Sequence, residues 1–218
     1  MASRVELKKE KEKTSQALIQ SALILCEEEG YASLSLRSVA RKAGIAPTSF
    51  YRHFREIDEM GVEMVAQAKD VLDDFIAAAR KKMTFPAGKP NESPLKSIQC
   101  MTGPFVDAFF EYFRNHRQLL HLFFQERTGS SVAMRTAIAG AVDQLTGALA
   151  ETLNPLLAAS EFAVTDMTLV AETMLIIVSS SGMETLARPE IKPGDAGKRA
   201  IRKLNLLLLG AMTEQTKG

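Results

Sequence analysis

Apolar residues recur along this chain at spacings of three and four, and the polar residues between them follow the same period. Val, Ile and Thr never gather into bounded alternating runs, so no strand is predicted and the chain reads as all-α. A first helix is predicted from about Thr14 to Glu29, with Leu18, Ala22, Leu25 and Cys26 on one face and Gly30 as its stop. Ser35 is placed to cap a short second helix ending near Ala43, where Gly44 breaks it. A third short helix opens at Pro47, whose missing N–H costs nothing in a first turn. A long fourth helix spans roughly Asp58 to Met83. The stretch from Phe85 to Pro94 (FPAGKPNESP) holds three of the eight prolines and reads as a loop. Later helices are predicted at 95–114, 116–127, 131–153, 162–187 and 196–214. Breaks fall at Asn115, Gly129–Ser130, Asn154–Pro155 and Pro189–Gly194, and Asp195 is placed to cap the last helix.

The segment Leu36 to Phe54 (LRSVARKAGIAPTSFYRHF) carries more than periodicity. Two helices crossing at a tight angle need a small residue where they meet, and Ala40 supplies it. Four residues later the chain must turn sharply, and Gly44 does so without a Cβ penalty. Val39, Ile45 and Phe50 fill the angle, and Phe50 and Phe54, at i and i+4, form the inner face of the third helix. The outer face is Thr48, Ser49, Tyr51, Arg52 and His53, donors and acceptors suited to bases and phosphates. A generic helical hairpin with a polar face is the plainer alternative. Small, glycine, apolar and donor positions filled together favour a helix-turn-helix whose last helix enters a major groove.

Charge supports this division of labour. The net charge is only +1, but residues 1–55 hold 10 Lys/Arg and 6 Asp/Glu, and the remainder holds 17 and 20. A basic head of net +4 precedes a body of net −3. The expected organisation is a DNA-binding domain at 1–57 and a ligand-binding and dimerisation domain at 58–218.

Composition excludes several classes. Cys26 and Cys100 cannot build a disulfide framework or a four-ligand metal site, and each is expected to be a buried thiol. Three histidines stand in no recognisable catalytic motif, and no phosphate-binding glycine loop appears. No enzyme, metal or cofactor is expected. Met1 to Lys13 alternates Lys and Glu without an apolar core, unlike a signal peptide. The longest apolar runs, Met174–Val178 and Leu206–Leu209, are short of a membrane span, so a cytoplasmic, reduced protein away from membranes is expected.

In the body, six of the eleven phenylalanines fall between Phe105 and Phe124. Met101, Phe105, Phe109, Phe113, Leu120, Phe123 and Phe124 are candidates to line an apolar pocket, with a packed core as the alternative. Arg127 is a candidate for its polar mouth, together with His116, Arg117 and His121. The stretch Glu172–Ala187 sets Leu175, Ile176, Val178 and Met183 around small residues 179–182. The last helix is apolar at 201, 204, 208, 211 and 212 and again at 206, 207 and 209. A helix apolar on more than one side must be buried or paired, so these two read as a partner surface.

The phrase LSLRSVARKAGIAPTSFYRHFREIDEM resembles the DNA-binding head of the TetR family of bacterial repressors. Within it, AGIAPTSFYRHF is most similar to the fatty-acid-responsive subgroup, the unsaturated fatty-acid biosynthesis and desaturase repressors (FabR/DesT-like). The head resemblance spans roughly residues 14–60; HRQLLHLFFQERTGSSVAMRTAI is similar more loosely, and 155–218 only in helical layout. Ala46 and Ile57 stand where many members carry a phosphate-touching Ser and Lys, a departure the subgroup shares. The resemblance implies phosphate contacts from Ser35 and Arg37, base contacts from Thr48 and Ser49, and backbone contacts from Tyr51 and His53. Arg52 serves either role, and Pro47 belongs to the same interface. Arg4, Lys8 and Lys9 are expected to form an N-terminal arm reaching a minor groove, a solvated tail being the alternative. The resemblance further implies a homodimer through the last two long helices, bound to a palindromic double-stranded operator. It also implies a small hydrophobic effector, a long-chain acyl-CoA or acyl-carrier-protein thioester, with a drug sensor controlling an efflux pump as the alternative.

Overall fold

A computed structural model of the chain describes residues 4–84, 94–158 and 166–213. Among these residues the structure is helical, without strands. In chain order the helices are α1 (Arg4–Glu29), α2 (Leu36–Lys42), α3 (Pro47–Phe50), α4 (Ile57–Lys82), α5 (Pro94–Asn115), α6 (Arg117–Gln125), α7 (Val132–Ala158), α8 (Met167–Ala187) and α9 (Pro193–Thr213), with 3₁₀ turns at Tyr31–Ser33 and Glu126–Thr128. The loop predicted at Phe85–Pro94 lies outside the described residues except for Pro94, which opens α5.

The helices group into two compact units. Of the described residues, the first comprises 4–68 and 118–141, the second 69–84, 94–117, 142–158 and 166–213. This grouping differs from the sequence division at 57/58, because the head unit takes in most of α6 and the start of α7.

In the first unit Leu18, Ala22, Val39, Ala40, Phe50, Met60, Leu120, Phe123 and Met134 are closed off from solvent. Tyr31 ties the head together: its hydroxyl lies 3.1 Å from both the Ile57 carbonyl and Asp58 Oδ1, at the start of α4. A Cβ on Gly61 would collide with that hydroxyl and with Met134 Sδ, so Tyr31 and Met134 pack here against bare backbone. In the second unit α5, α8 and α9 pack on one another over Met101, Phe105, Phe109, Met174, Val178, Leu204 and Leu208. Pro104 sits inside α5 and cannot donate to the Cys100 carbonyl, and the Thr84 N–H takes that acceptor at 3.4 Å.

Several predicted boundaries move. The first helix begins at Arg4 rather than Thr14, and the Thr14 hydroxyl, inside the helix, donates back to the Glu10 carbonyl at 2.9 Å. The break predicted at Asn154–Pro155 is absent: α7 continues through Pro155 to Ala158. Leu149, Leu153 and Leu157 form one buried stripe across the proline, and Pro155 itself is exposed. The last helix opens at Pro193, so Asp195 lies inside its first turn, 3.8 Å from Lys198, and does not cap it. The eighth helix opens at Met167, capped by Asp166, which accepts from the Leu169 N–H at 2.9 Å; residues 162–165 of its predicted start lie outside the described residues.

Among the described residues α8 is also the one helix long and apolar enough to cross a membrane, by length and composition. Part of that apolar surface packs on α5 and α9, while Leu169 and Ile176 stay exposed.

Candidate nucleic-acid interface

The head's outer surface is built by three local devices. Ser35 caps α2 as predicted: its hydroxyl accepts from the Ser38 N–H at 3.1 Å, and the Ser38 hydroxyl accepts from the Ser35 N–H at 3.0 Å. At the other end Ile45 N–H donates to the Ala40 carbonyl at 3.0 Å and Gly44 N–H to the Arg41 carbonyl at 3.2 Å. This paired closure needs a left-handed residue, and Gly44 has φ +71°. Pro47 then starts α3, which runs only to Phe50 before a turn through 51–53.

Phe50 is wholly buried and packs on Phe54 with ring centroids 5.7 Å apart, anchoring the turn from inside. Pro47, Thr48, Tyr51 and Arg52 are exposed, and Ser49 and His53 half-buried. Tyr51 meets Phe50 edge-on at 6.3 Å while remaining 61% exposed, a phenol held rigidly outward. Arg37 is exposed on α2, and the Ser35 side chain already serves the cap. Arg4, Lys8 and Lys9 do not form an extended arm; they lie on the first turns of α1, with Lys8 and Lys9 exposed.

Sequence reasoning missed the cleft beside this surface. Lys8, Lys11, Glu12, Ser15 and Gln16 of α1 and Glu59 and Glu63 of α4 line a volume of about 400 Å³ with His53 and Phe54. Reading Lys8 and Lys11 as one helical face would have signalled it, and the helix start at Thr14 hid that face. His53 Nδ1 is buried without a hydrogen-bond partner. Burial, reinforced by the charges of Lys11 and Arg52, holds the imidazole below its ordinary pKa. Cys26 is a half-buried thiol, pushed up to about 12 by burial and secondarily by Glu126. Glu126 is itself buried and raised for the same first reason. Among the described residues no cluster of three His, Cys, Asp or Glu side chains stands ready to hold a metal ion.

Residues 18–64 match the profile described as bacterial regulatory proteins, tetR family. A Haemophilus influenzae protein, described as an uncharacterized HTH-type transcriptional regulator, is 36% identical over 203 residues, spanning 93% of this chain and 92% of its own. The chain belongs to the TetR family. It is a transcriptional regulator with an N-terminal helix-turn-helix, not an enzyme. Two solved structures are similar in fold. A protein of Syntrophomonas wolfei assigned to the TetR-family regulators has TM-score 0.71 and 15% identity, over 94% of this chain and 99% of its own. The fatty acid degradation regulator FadR from Bacillus halodurans has TM-score 0.63 and 15% identity, over 92% and 96%.

In this TetR regulator the eight pocket candidates divide between the two units. Met101, Phe105, Phe109 and Phe113 belong to the second and are buried. Phe105 and Phe109 pack with Phe75 of α4, which sequence reasoning left out although it shares a buried stripe with Leu72, Ile76 and Ala79. Phe75 lies 5.2 Å from Phe105 and 5.6 Å from Phe109, and Phe109 stacks on Phe113 at 5.5 Å. Leu120, Phe123, Phe124 and Arg127 belong to the first unit, with Leu120 and Phe123 buried, Phe124 half-buried and Arg127 exposed. Of the mouth candidates His116 and Arg117 are exposed, His116 stacking on Tyr112, and His121 is half-buried near Cys26 and Glu126. A separate groove of about 610 Å³ runs between α4 and α7, lined by Asp73, Ile76, Ala77, Arg80, Lys81, Ala148, Glu151 and Thr152.

Proposed function

We propose that this TetR regulator is a homodimeric repressor that reads a palindromic operator and is switched by a long-chain acyl thioester, controlling genes of fatty-acid metabolism. The observation that carries the DNA reading is the pairing of a buried Phe50–Phe54 spine with exposed Thr48, Tyr51 and Arg52 on the opposite side. Thr48 and Ser49 take base edges; Arg37, Tyr51 and His53 take phosphates; Arg52 takes either. Lys8 and Lys9, presented from a helix, join from the duplex flank.

The dimer reading is supported by apolar side chains left uncovered on the last two helices. Leu169 and Ile176 of α8 are 58% and 45% exposed and Leu206 of α9 is 72% exposed, beside the exposed small residues Ser180 and Gly210. A second copy bringing the same face covers them by two-fold symmetry.

The effector reading is supported by the interior of the second unit, where Met101 and Met174 are wholly buried beside the aromatic cluster. Methionine and phenylalanine part around an apolar chain without breaking backbone hydrogen bonds. At about 0.8 kcal/mol per buried CH₂, a chain of about 16 carbons offers on the order of 10 kcal/mol, of which a few kcal/mol of difference between two conformations moves the switch. The similar fold from Bacillus halodurans belongs to a fatty acid degradation regulator.

The test is anisotropy of labelled operator with full-length protein, titrated with palmitoyl-CoA, free CoA, palmitate and a lipophilic cation. A change with palmitoyl-CoA alone supports the reading. No change with any long-chain acyl-CoA sinks the acyl part, and a response to the cation instead supports a drug sensor.

A further inference from the structure

His53 is half-buried and lines the cleft beside the recognition turn, and its Nδ1 is enclosed without a hydrogen-bond partner. A neutral imidazole carries one proton and an imidazolium two, and an imidazolium makes both nitrogens donors. An enclosed N–H without an acceptor is among the rarest and costliest of buried groups, whereas an under-used acceptor is tolerated better. The enclosure of Nδ1 therefore selects the form in which Nδ1 is bare and Nε2 holds the proton.

The charges around the ring point the same way. Lys8, Lys11 and Glu12 face the cleft from α1 and Glu59 and Glu63 from α4, with Arg52 adjacent in the chain. Lys11 and Arg52 oppose a second proton. Of the cleft carboxylates, Glu59 accepts from the Arg55 N–H at 2.5 Å.

We infer that His53 meets the DNA backbone as an uncharged donor through Nε2–H, with Nδ1 kept free of a proton by its enclosure without an acceptor. The inference rests on the reading that residues 47–54 face DNA. His53 then supplies direction rather than charge, and the grip it gives on a phosphate stays constant across neutral pH. Imidazole differs here from the neighbouring lysines, whose attraction reaches any nearby phosphate.

Glutamine and asparagine separate the two nitrogens. The Gln side chain places its amide nitrogen near the position of Nε2, and the Asn side chain near that of Nδ1. The experiment uses full-length protein and a labelled random-sequence duplex at low salt, since a phosphate contact needs no operator. His53→Gln is expected to bind within about threefold of the parent, and His53→Asn to bind about tenfold or more weakly. Parent affinity is expected to vary by less than about twofold between about pH 6.5 and pH 8.5. Imidazole ¹⁵N shifts of the free protein report the tautomer independently of DNA and are expected to show protonated Nε2 and bare Nδ1.

A Gln variant as weak as the Asn variant overturns the inference. So does parent binding that tightens about tenfold toward about pH 6.5, with the slope lost in both variants. A protonated Nδ1 in the free protein overturns it without reference to binding. If instead the ¹⁵N shifts agree but the parent binds no duplex, it is the DNA-facing reading that has failed. Thermal midpoints of both variants separate a lost contact from a damaged fold.

Discussion

Phe50 and Tyr51 are sequence neighbours with opposite fates: Phe50 is wholly buried, and Tyr51, its ring 6.3 Å away and turned 80°, is 61% exposed. One residue holds the recognition turn to the head and the next is presented by it. Phe50→Ala is expected to destabilise the protein by about 3–5 kcal/mol through the cavity it leaves. Tyr51→Ala should leave the thermal midpoint almost unchanged and weaken binding to operator and random DNA alike. Circular dichroism melts and anisotropy read the two effects separately, and a large loss of stability in the Tyr51 variant would reject its assignment to an outward contact.

Two glycines should respond oppositely to alanine. Gly44 has φ +71°, and no atom lies within 4 Å of where an alanine methyl would sit, so the cost of Gly44→Ala is conformational, about 1–2 kcal/mol. Gly140 lies inside α7 with the same open space and no positive φ, and Gly140→Ala should stabilise by about 0.5–1 kcal/mol. Urea melts of the two variants check both signs.

Glu126 gives a pH signature. Burial raises its carboxyl above the ordinary 4.5, so folding favours the protonated form. The stability this contributes is complete below about pH 4.5 and is lost as pH rises through the higher folded value. Glu126→Gln removes the loss: the variant should be more stable than the parent at pH 7, by about 1 kcal/mol, with the gap closing toward pH 4. A gap that widens on acidification would contradict the assignment.

How much of this was legible in the sequence depended on whether the signal was local. Ser35, Gly44 and Pro47 obey cap and turn rules acting within a few residues, and all three were read in their structural roles. Thr14 and Pro155 were misread for the same kind of reason. The Lys/Glu-rich stretch before Thr14 lacks an apolar stripe yet continues α1 back to Arg4, and the leucine stripe through Leu153 and Leu157 carries α7 past its proline. The division of the phenylalanines between two units was beyond local reading, because apolarity marks burial without saying which helices share a core. The unpartnered nitrogen of His53 likewise exists only once the head has folded around it.

The exposed apolar side chains on α8 and α9 predict the assembly. Sedimentation should give the parent a mass twice the 23.9 kDa of the chain, and Leu206→Glu should halve it without lowering helicity, because Leu206 is 72% exposed. A parent that sediments as one chain at micromolar concentration would exclude the dimer.

Selection of bound duplexes from a random library by the full-length protein tests the central claim most directly. The account predicts enrichment of an inverted repeat whose half-sites lie about 10 base pairs apart or more, and a relaxed half-site when Thr48 or Ser49 is replaced by alanine. Enrichment of no repeat, or an unchanged repeat from both variants, would contradict it.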